Sequence, residues 1–242
     1  MIRAEGLCKQ FGKVAALDGV SFSAPDGRIT GLLGPNGAGK STTLRILYTI
    51  LRADSGNAYV DEVSVADNAR GARARLGVLP HGAGVYPQLT VRENIQYFGA
   101  LHGLRRRECR ARASEIIALL EIDEIADRRT KGFSQGQRLK TALARALVHR
   151  PRNVVLDEPT NGLDVLSVRK LRAILQRLRE QGHCVLFSSH VMQDVAQLCD
   201  EVVVIAHGHV VAHGTPEALR ERSGAGDFES AFVRLTGSED QA

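Results

Sequence analysis

Residues 34–42 read Gly34-Pro35-Asn36-Gly37-Ala38-Gly39-Lys40-Ser41-Thr42, between an apolar run at 29–33 and a stretch of helical spacing that begins at Lys40. Gly-x-x-x-x-Gly-Lys-Ser in that setting constrains the fold more than any other feature of the chain. Gly37 and Gly39 let successive backbone N–H groups turn inward around an anion. The N-terminus of the following helix adds partial positive charge at the same place. Lys40 can then bridge the β- and γ-phosphates of a nucleoside triphosphate, and the Ser41 hydroxyl can ligate Mg²⁺. Thr42 is placed to bond the α- or β-phosphate. Strand, loop and helix together predict a triphosphate site in an α/β core.

Organisation along the chain agrees with such a core, interrupted once. Residues 58–60 and 76–79 read as further strands, and the helix after the phosphate loop is expected over 40–51, with Leu44, Ile46, Leu47, Ile50 and Leu51 at helical spacing. From Thr90 to about Arg150 the pattern turns helical. Thr90 and Glu93 have capping-box spacing, 115–120 reads as a second helix, and Ser134 and Gln137 precede a third at 138–149. Strand and helix then alternate: strands at 154–156, 185–187 and 202–205, helices at 165–180 and 192–198. Thr215 and Pro216 read as an N-cap and first helical residue. We therefore expect a core at 1–82 and 153–218, a helical insert at 83–152, and a C-terminal helix and tail at 219–242. The polar end, 237–242, is expected to fray.

Two carboxylates follow the 154–156 strand. Asp157 at its end can hold Mg²⁺, usually through water, and Glu158 can polarise a water for in-line attack on the γ-phosphorus. His190 stands just after another apolar strand, in Val185-Leu186-Phe187-Ser188-Ser189-His190. Alone, such a histidine would more often be structural. In an α/β core built around the phosphate loop, the C-terminal edge of the sheet faces the nucleotide. His190 would then stand near the γ-phosphate and orient it and the attacking water.

One more motif lies between these elements: Phe133-Ser134-Gln135-Gly136-Gln137. By itself it is a helix cap. At the start of a helix, between the phosphate loop and Asp157, it resembles the LSGGQ signature of ATP-binding cassette (ABC) ATPases. The resemblance covers about residues 2–218. It implies a RecA-like P-loop core with an antiparallel β N-terminal subdomain and an inserted α-helical signature subdomain. It also implies ATP and Mg²⁺ as ligands and ATP hydrolysis as the reaction. Phe11 matches the aromatic that stacks on adenine, Asp164 in Asn161-Gly162-Leu163-Asp164 matches the D-loop, and His190 matches the switch histidine. In this family two cassettes dimerise head to tail, and Ser134, Gln135, Gly136 and Gln137 would face the partner's ATP.

This chain departs from the family pattern twice. The third signature position is Gln135 where glycine is usual. His81 stands after the 76–79 strand, where the family has the glutamine of the Q-loop, which touches Mg²⁺ or the attacking water and whose loop meets the transmembrane partner. A neutral imidazole can bond water or ligate a metal, is shorter than glutamine, and titrates near neutral pH. His81 is read either as a replacement for that glutamine or as a residue that only packs against the partner subunit.

The segment Leu79-Pro80-His81-Gly82-Ala83-Gly84-Val85-Tyr86-Pro87-Gln88-Leu89-Thr90, with the signature and the C-terminal Phe228-Glu229-Ser230-Ala231-Phe232, resembles the NatA-type ABC-2 exporter ATPases. That implies a separate membrane permease, and a position at the cytoplasmic face of the membrane. No apolar run approaches the ~20 residues of a span, and no signal peptide is read at the N-terminus. The net charge of +5 comes without aromatic-rich nucleic-acid features, since tryptophan is absent and aromatics are 5%; no nucleic-acid partner is expected. Arg105, Arg106, Arg107, Arg110 and Arg112 read as a solvated helix face. Four dispersed cysteines fit a reduced chain. The alternatives are a non-transport ABC ATPase with a soluble partner, a GTPase, whose Asn-Lys-x-Asp motif does not occur, and a metal module at His207, His209 and His213, which a plain hairpin explains as well.

Overall fold

The computed structural model describes residues 1–237; of the tail expected to fray, 238–242 lie outside the described residues. β1 (Ile2–Phe11) and β2 (Val14–Ala24) form an antiparallel hairpin. A second sheet strand, β3 (Ile29–Leu33), leads into the phosphate loop and α1 (Lys40–Leu47). β4 (Ser55–Val60) returns to pair with β1 and with the short β5 (Val63–Ser64), giving a four-stranded sheet of order β2-β1-β4-β5. After α2 (Ala69–Ala74) and β6 (Leu76–Leu79) comes a run of helices: α3 (Val91–Leu101), α4 (Arg106–Leu119), a 3₁₀ turn at Asp123–Ile125, and α5 (Gln135–Leu147). The core resumes with β7 (Asn153–Asp157), α6 (Val165–Glu180), β8 (Cys184–Ser189), α7 (Met192–Leu198), β9 (Glu201–Ala206) and β10 (His209–Gly214). Two helices, α8 (Pro216–Ser223) and α9 (Phe228–Thr236), close the described chain.

The larger sheet has the order β10-β9-β3-β8-β7-β6 and is parallel except at β10. Its central strands are apolar along their length because both faces are covered. Alternate residues serve two separate cores. Val155, Leu186 and Val203 join a cluster with β1, β2, β4 and α1, whereas Val154, Leu156, Val185 and Phe187 join one with α3 to α7. α1 is therefore enclosed between the two sheets. Its Leu44, Ile46 and Leu47 are fully buried, at ~1.5–3 kcal/mol of hydrophobic stabilisation each.

Several elements differ from the pattern reading. α1 stops at Leu47, four residues before the expected end, because Thr49 takes the left-handed conformation with φ 65°. α5 begins at Gln135 rather than Arg138, since Ser134 itself is the N-cap. α2, six residues capped by Asn68, is too short to show a helical period in the sequence. Arg112 does not belong to a solvated face: it donates to the carbonyls of Leu147 and Val148 at the C-terminal end of α5. Arg105, Arg106, Arg107 and Arg110 are exposed as expected.

The three clustered histidines do not converge. His207 and Gly208 form the β9–β10 turn with φ of 50° and 79°. His209 faces Asp18 and His213 faces Glu201, and the register slips between Val210 and Ala212. Among the described residues no group of three His, Cys, Asp or Glu side chains is arranged to hold a metal ion.

Candidate nucleotide site

The loop from Gly34 to Gly39 owes its path to glycines in two ways. At Gly37 and Gly39 the backbone is left-handed, with φ of 79° and 108°, a region L side chains rarely enter. At Gly34 a Cβ would collide with the carbonyl oxygen of Ile205 on β9. Gly39 caps α1 without a side-chain bond, so the first N–H groups of the helix are left to an anion. Lys40 follows, 5% exposed, its Nζ donating to the carbonyls of Gly34 at 2.7 Å and Pro35 at 3.1 Å. Burial holds its pKa below the usual lysine value, against the opposing pull of Glu158 and Asp157.

Strand order brings the acidic groups to the same end. β3, β8 and β7 are neighbours, so their C-terminal ends present Gly34, His190, Asp157 and Glu158 along one edge. Ser41 Oγ donates to Asp157 Oδ1 at 3.1 Å, and Ser188 Oγ donates to the same oxygen at 2.7 Å. The other oxygen, Oδ2, is buried and has no hydrogen-bond partner. A buried carboxylate oxygen without a donor, beside a serine hydroxyl, fits the oxygen-donor set of a hard cation such as Mg²⁺.

Glu158 sits between a cation and an imidazole. Its Oε1 is 3.6 Å from Lys40 Nζ and its Oε2 is 2.7 Å from His190 Nδ1. The backbone of Glu158 is left-handed, φ 51°, a conformation that costs a residue of this kind ~1 kcal/mol or more. Ser188 Oγ holds it there by accepting from the Glu158 N–H at 2.9 Å. Ser188 thus bonds the carboxylate of Asp157 and the backbone of Glu158. The signal for it in the sequence is the pair of serines that ends an otherwise apolar strand.

The remaining expected residues fall into three places. Phe11, at the end of β1, is 47% exposed and so is no core phenylalanine; its ring lies under Lys9 Nζ at 5.6 Å. Ser134 and Gln137 make the reciprocal capping box, and Asp164 caps α6 by accepting from the Ser167 N–H and hydroxyl. Those bonds hold the Asp164 carboxyl below the usual range. Gly136 approaches Ser167 closely: a Cβ there would stand 2.8 Å from Ser167 Oγ. His81 is exposed in the turn after β6 and shares a cleft of about 360 Å³ with Gln135, Arg138, Asp157 and Glu158. The loop that carries His81 is anchored further along. Buried Asn94 bonds the backbone of Tyr86, Leu89 and Thr90, and Arg145 donates to Gly84 O at 2.6 Å.

A glycine loop that wraps a helix N-terminus, with a lysine, a cation-ready aspartate and a glutamate at one sheet edge, defines a P-loop nucleoside triphosphatase. The signature-bearing helices between β6 and β7 narrow the class, and comparison with known proteins agrees. The chain belongs to the ABC transporter family, whose profile matches residues 17–161. It is an ATP-binding, ATP-hydrolysing subunit of the exporter type. It is 39% identical over 221 residues to the ABC transporter ATP-binding protein NatA of Bacillus subtilis, covering 91% of this chain and 90% of that one. To the linearmycin resistance ATP-binding protein LnrL of the same organism it is 36% identical over 236 residues, 98% of this chain and 75% of that one. Among solved structures, an ATP-binding subunit of an ABC transporter superposes with a TM-score of 0.87 at 25% identity, covering 98% and 99% of the two chains. A dimeric ATP-binding cassette in a post-hydrolysis state, bound to ADP and Pi, superposes at 0.80 with 25% identity, covering 89% and 98%.

Proposed function

We propose that Glu158 is the general base of ATP hydrolysis and that two copies of this chain, or this chain and a close relative, close head to tail around ATP to drive a separate membrane permease. The observation that carries this reading is the convergence of Lys40, Asp157, Glu158 and His190 at one end of the parallel sheet. Backbone N–H groups of residues 34–42, Pro35 excepted, cradle the phosphates, Lys40 bridges the β- and γ-phosphates, and Phe11 offers a ring to adenine. Glu158 accepts a proton from the attacking water while His190 holds the carboxylate in line. Ser41 and Asp157 would hold Mg²⁺, which when bound neutralises charge on the transferring phosphoryl group. Residues 134–137 would meet the partner's ATP, and Asp164 would belong to the D-loop at the same junction.

The proposed division is a core at 1–82 and 153–218 with a signature subdomain at 83–152. Between them runs a largely apolar groove of about 410 Å³, lined by Tyr48, Ile50, Leu79, Phe98, His102 and Arg145. It lies beside the His81 loop, and the permease would dock there at the cytoplasmic face of the membrane. No helix among the described residues is long and apolar enough to cross a membrane, which supports a separate spanning subunit. His81 would take the place of the Q-loop glutamine between this groove and the carboxylates.

The deciding variant is Glu158→Gln. It should bind ATP, accumulate as an ATP-dependent dimer in size-exclusion chromatography, and lose hydrolysis by about 10²-fold or more. Turnover near the wild-type rate would remove Glu158 from the role of base.

A further inference from the structure

Gln135, the residue that departs from the signature pattern, bonds within its own chain. Its Nε2 donates to the carbonyl oxygen of Asn161 at 2.7 Å. The N–H of Asn161 in turn donates to the carbonyl oxygen of Glu158 at 3.2 Å, closing the turn that follows the strand. The opposite side of that turn is pinned by Ser188 through the Glu158 N–H. A path of two hydrogen bonds therefore runs from the first residue of α5 to the backbone of Glu158.

The neighbouring residues are shaped to admit this bond. Gly162 is left-handed at φ 69°, and a Cβ there would stand 2.6–3.1 Å from the Gln135 amide atoms. Gly136, one residue on, lets α5 approach Ser167, which Asp164 holds by two bonds. The start of α5 and the segment 161–167 thus interlock at two adjacent points. A glycine at position 135 would keep the second contact and lose the first.

We infer that Gln135 is a positioning residue: it ties the turn that carries Glu158 to the signature helix of the same chain, so that movement of that helix shifts the glutamate. The kinetic part of this inference rests on the ATPase reading; the tie itself does not. A signature glycine can only offer its backbone to a partner's nucleotide, whereas this glutamine also reaches back to its own chain's catalytic turn. Gln135 lines the same cleft as Glu158 and His81, so both departures from the family pattern face one space.

Two variants of the full chain test it. Gln135→Met keeps the length and loses the donor; Gln135→Lys restores a donor of similar reach. Amide hydrogen exchange over residues 158–164 should quicken about fivefold in Gln135→Met, the loss of one neutral hydrogen bond, and return to within about twofold of wild type in Gln135→Lys. In turnover, kcat should fall about fivefold in Gln135→Met with KM for ATP within about twofold, as for a misplaced base. Unchanged exchange in Gln135→Met, or equal acceleration in both variants, would overturn the tie. A raised KM at constant kcat would assign Gln135 to nucleotide contact and overturn the positioning role. Failure of the ATPase reading would look different: no turnover in wild type, with the exchange effect intact.

Discussion

His190 Nδ1 lies 2.7 Å from Glu158 Oε2, a side-chain bridge between the C-terminal ends of two hydrogen-bonded strands, β8 and β7. The other oxygen of the same carboxylate faces Lys40 Nζ at 3.6 Å. Glu158 is 13% exposed and His190 41%, so the imidazole is the more open partner. With its Nδ1 engaged by an acceptor, the ring has Nε2 as its second hydrogen-bonding atom.

His190→Ala should leave ATP binding nearly intact and lower kcat about 10²-fold, because the carboxylate keeps its place in the turn after β7 but loses the group that orients it. Steady-state kinetics with fluorescent-nucleotide binding measures both. A fall in affinity with kcat unchanged would mean that the histidine grips the phosphate and does not serve the glutamate.

Lys40→Ala removes a side chain that touches both the loop carbonyls and Glu158. Nucleotide affinity should drop about tenfold or more, and hydrolysis should fall below detection. Wild-type turnover in this variant would take the phosphate loop out of the reaction.

Gly34→Ala is a test of packing. Its new methyl would strike the Ile205 carbonyl on β9, backbone that cannot step aside. The cost should be about 1–3 kcal/mol, read as a shift of the urea midpoint with the slope unchanged. Gly37→Ala meets no atom nearby but must hold φ at 79°, and should cost about 1 kcal/mol.

His81→Gln compares the two side chains at one position. If His81 serves the reaction, the rate of hydrolysis should differ between wild type and His81→Gln, because the two side chains differ in reach and in donor and acceptor atoms. The assay needs the membrane subunit present. Superimposable rates would end the idea that His81 does the glutamine's work.

His149 sets a pH limit on the fold. It stacks on His102 with centroids 3.6 Å apart, its Nε2 donates to Leu76 O, and its Nδ1 is buried without a partner. Burial chiefly, with His102 and Arg112 adding to it, lowers its pKa from 6.5 to about 4. The unfolded chain therefore binds a proton that the folded chain refuses between about pH 6.5 and 4. Stability should hold above pH 6.5 and fall as pH drops toward 4, by on the order of 2 kcal/mol. Thermal melts at pH 7 and pH 5 should show a smaller difference in His149→Gln.

Much of the site was legible because its parts are local. The phosphate loop needs glycines whose spacing follows from one turn of backbone around an anion, and that spacing survives in any strand–helix setting. Asp157, Glu158 and His190 were legible because each stands at or just after the end of an apolar strand. The boundaries of α1 and α5 were not, since the end of one depends on a single left-handed threonine and the start of the other on which serine bond wins. β1 and β2 gave no clean alternation, and the register slips along them explain why: a two-residue period cannot persist through irregular pairing. Gln135 was visible only as an oddity. Its bond to Asn161 joins positions 26 residues apart, and no local pattern carries that information.

The left-handed backbone at Glu158 sets conformation against chemistry at one residue. Asparagine or glycine would rest more easily at φ 51°, and neither carries a carboxylate to serve as the proposed base. Drift to either would relieve the backbone but leave buried Lys40 without the carboxylate it faces and His190 without its partner. The strained backbone and the two side-chain contacts therefore come as one arrangement, and a copy of this gene could not shed the first without losing the second.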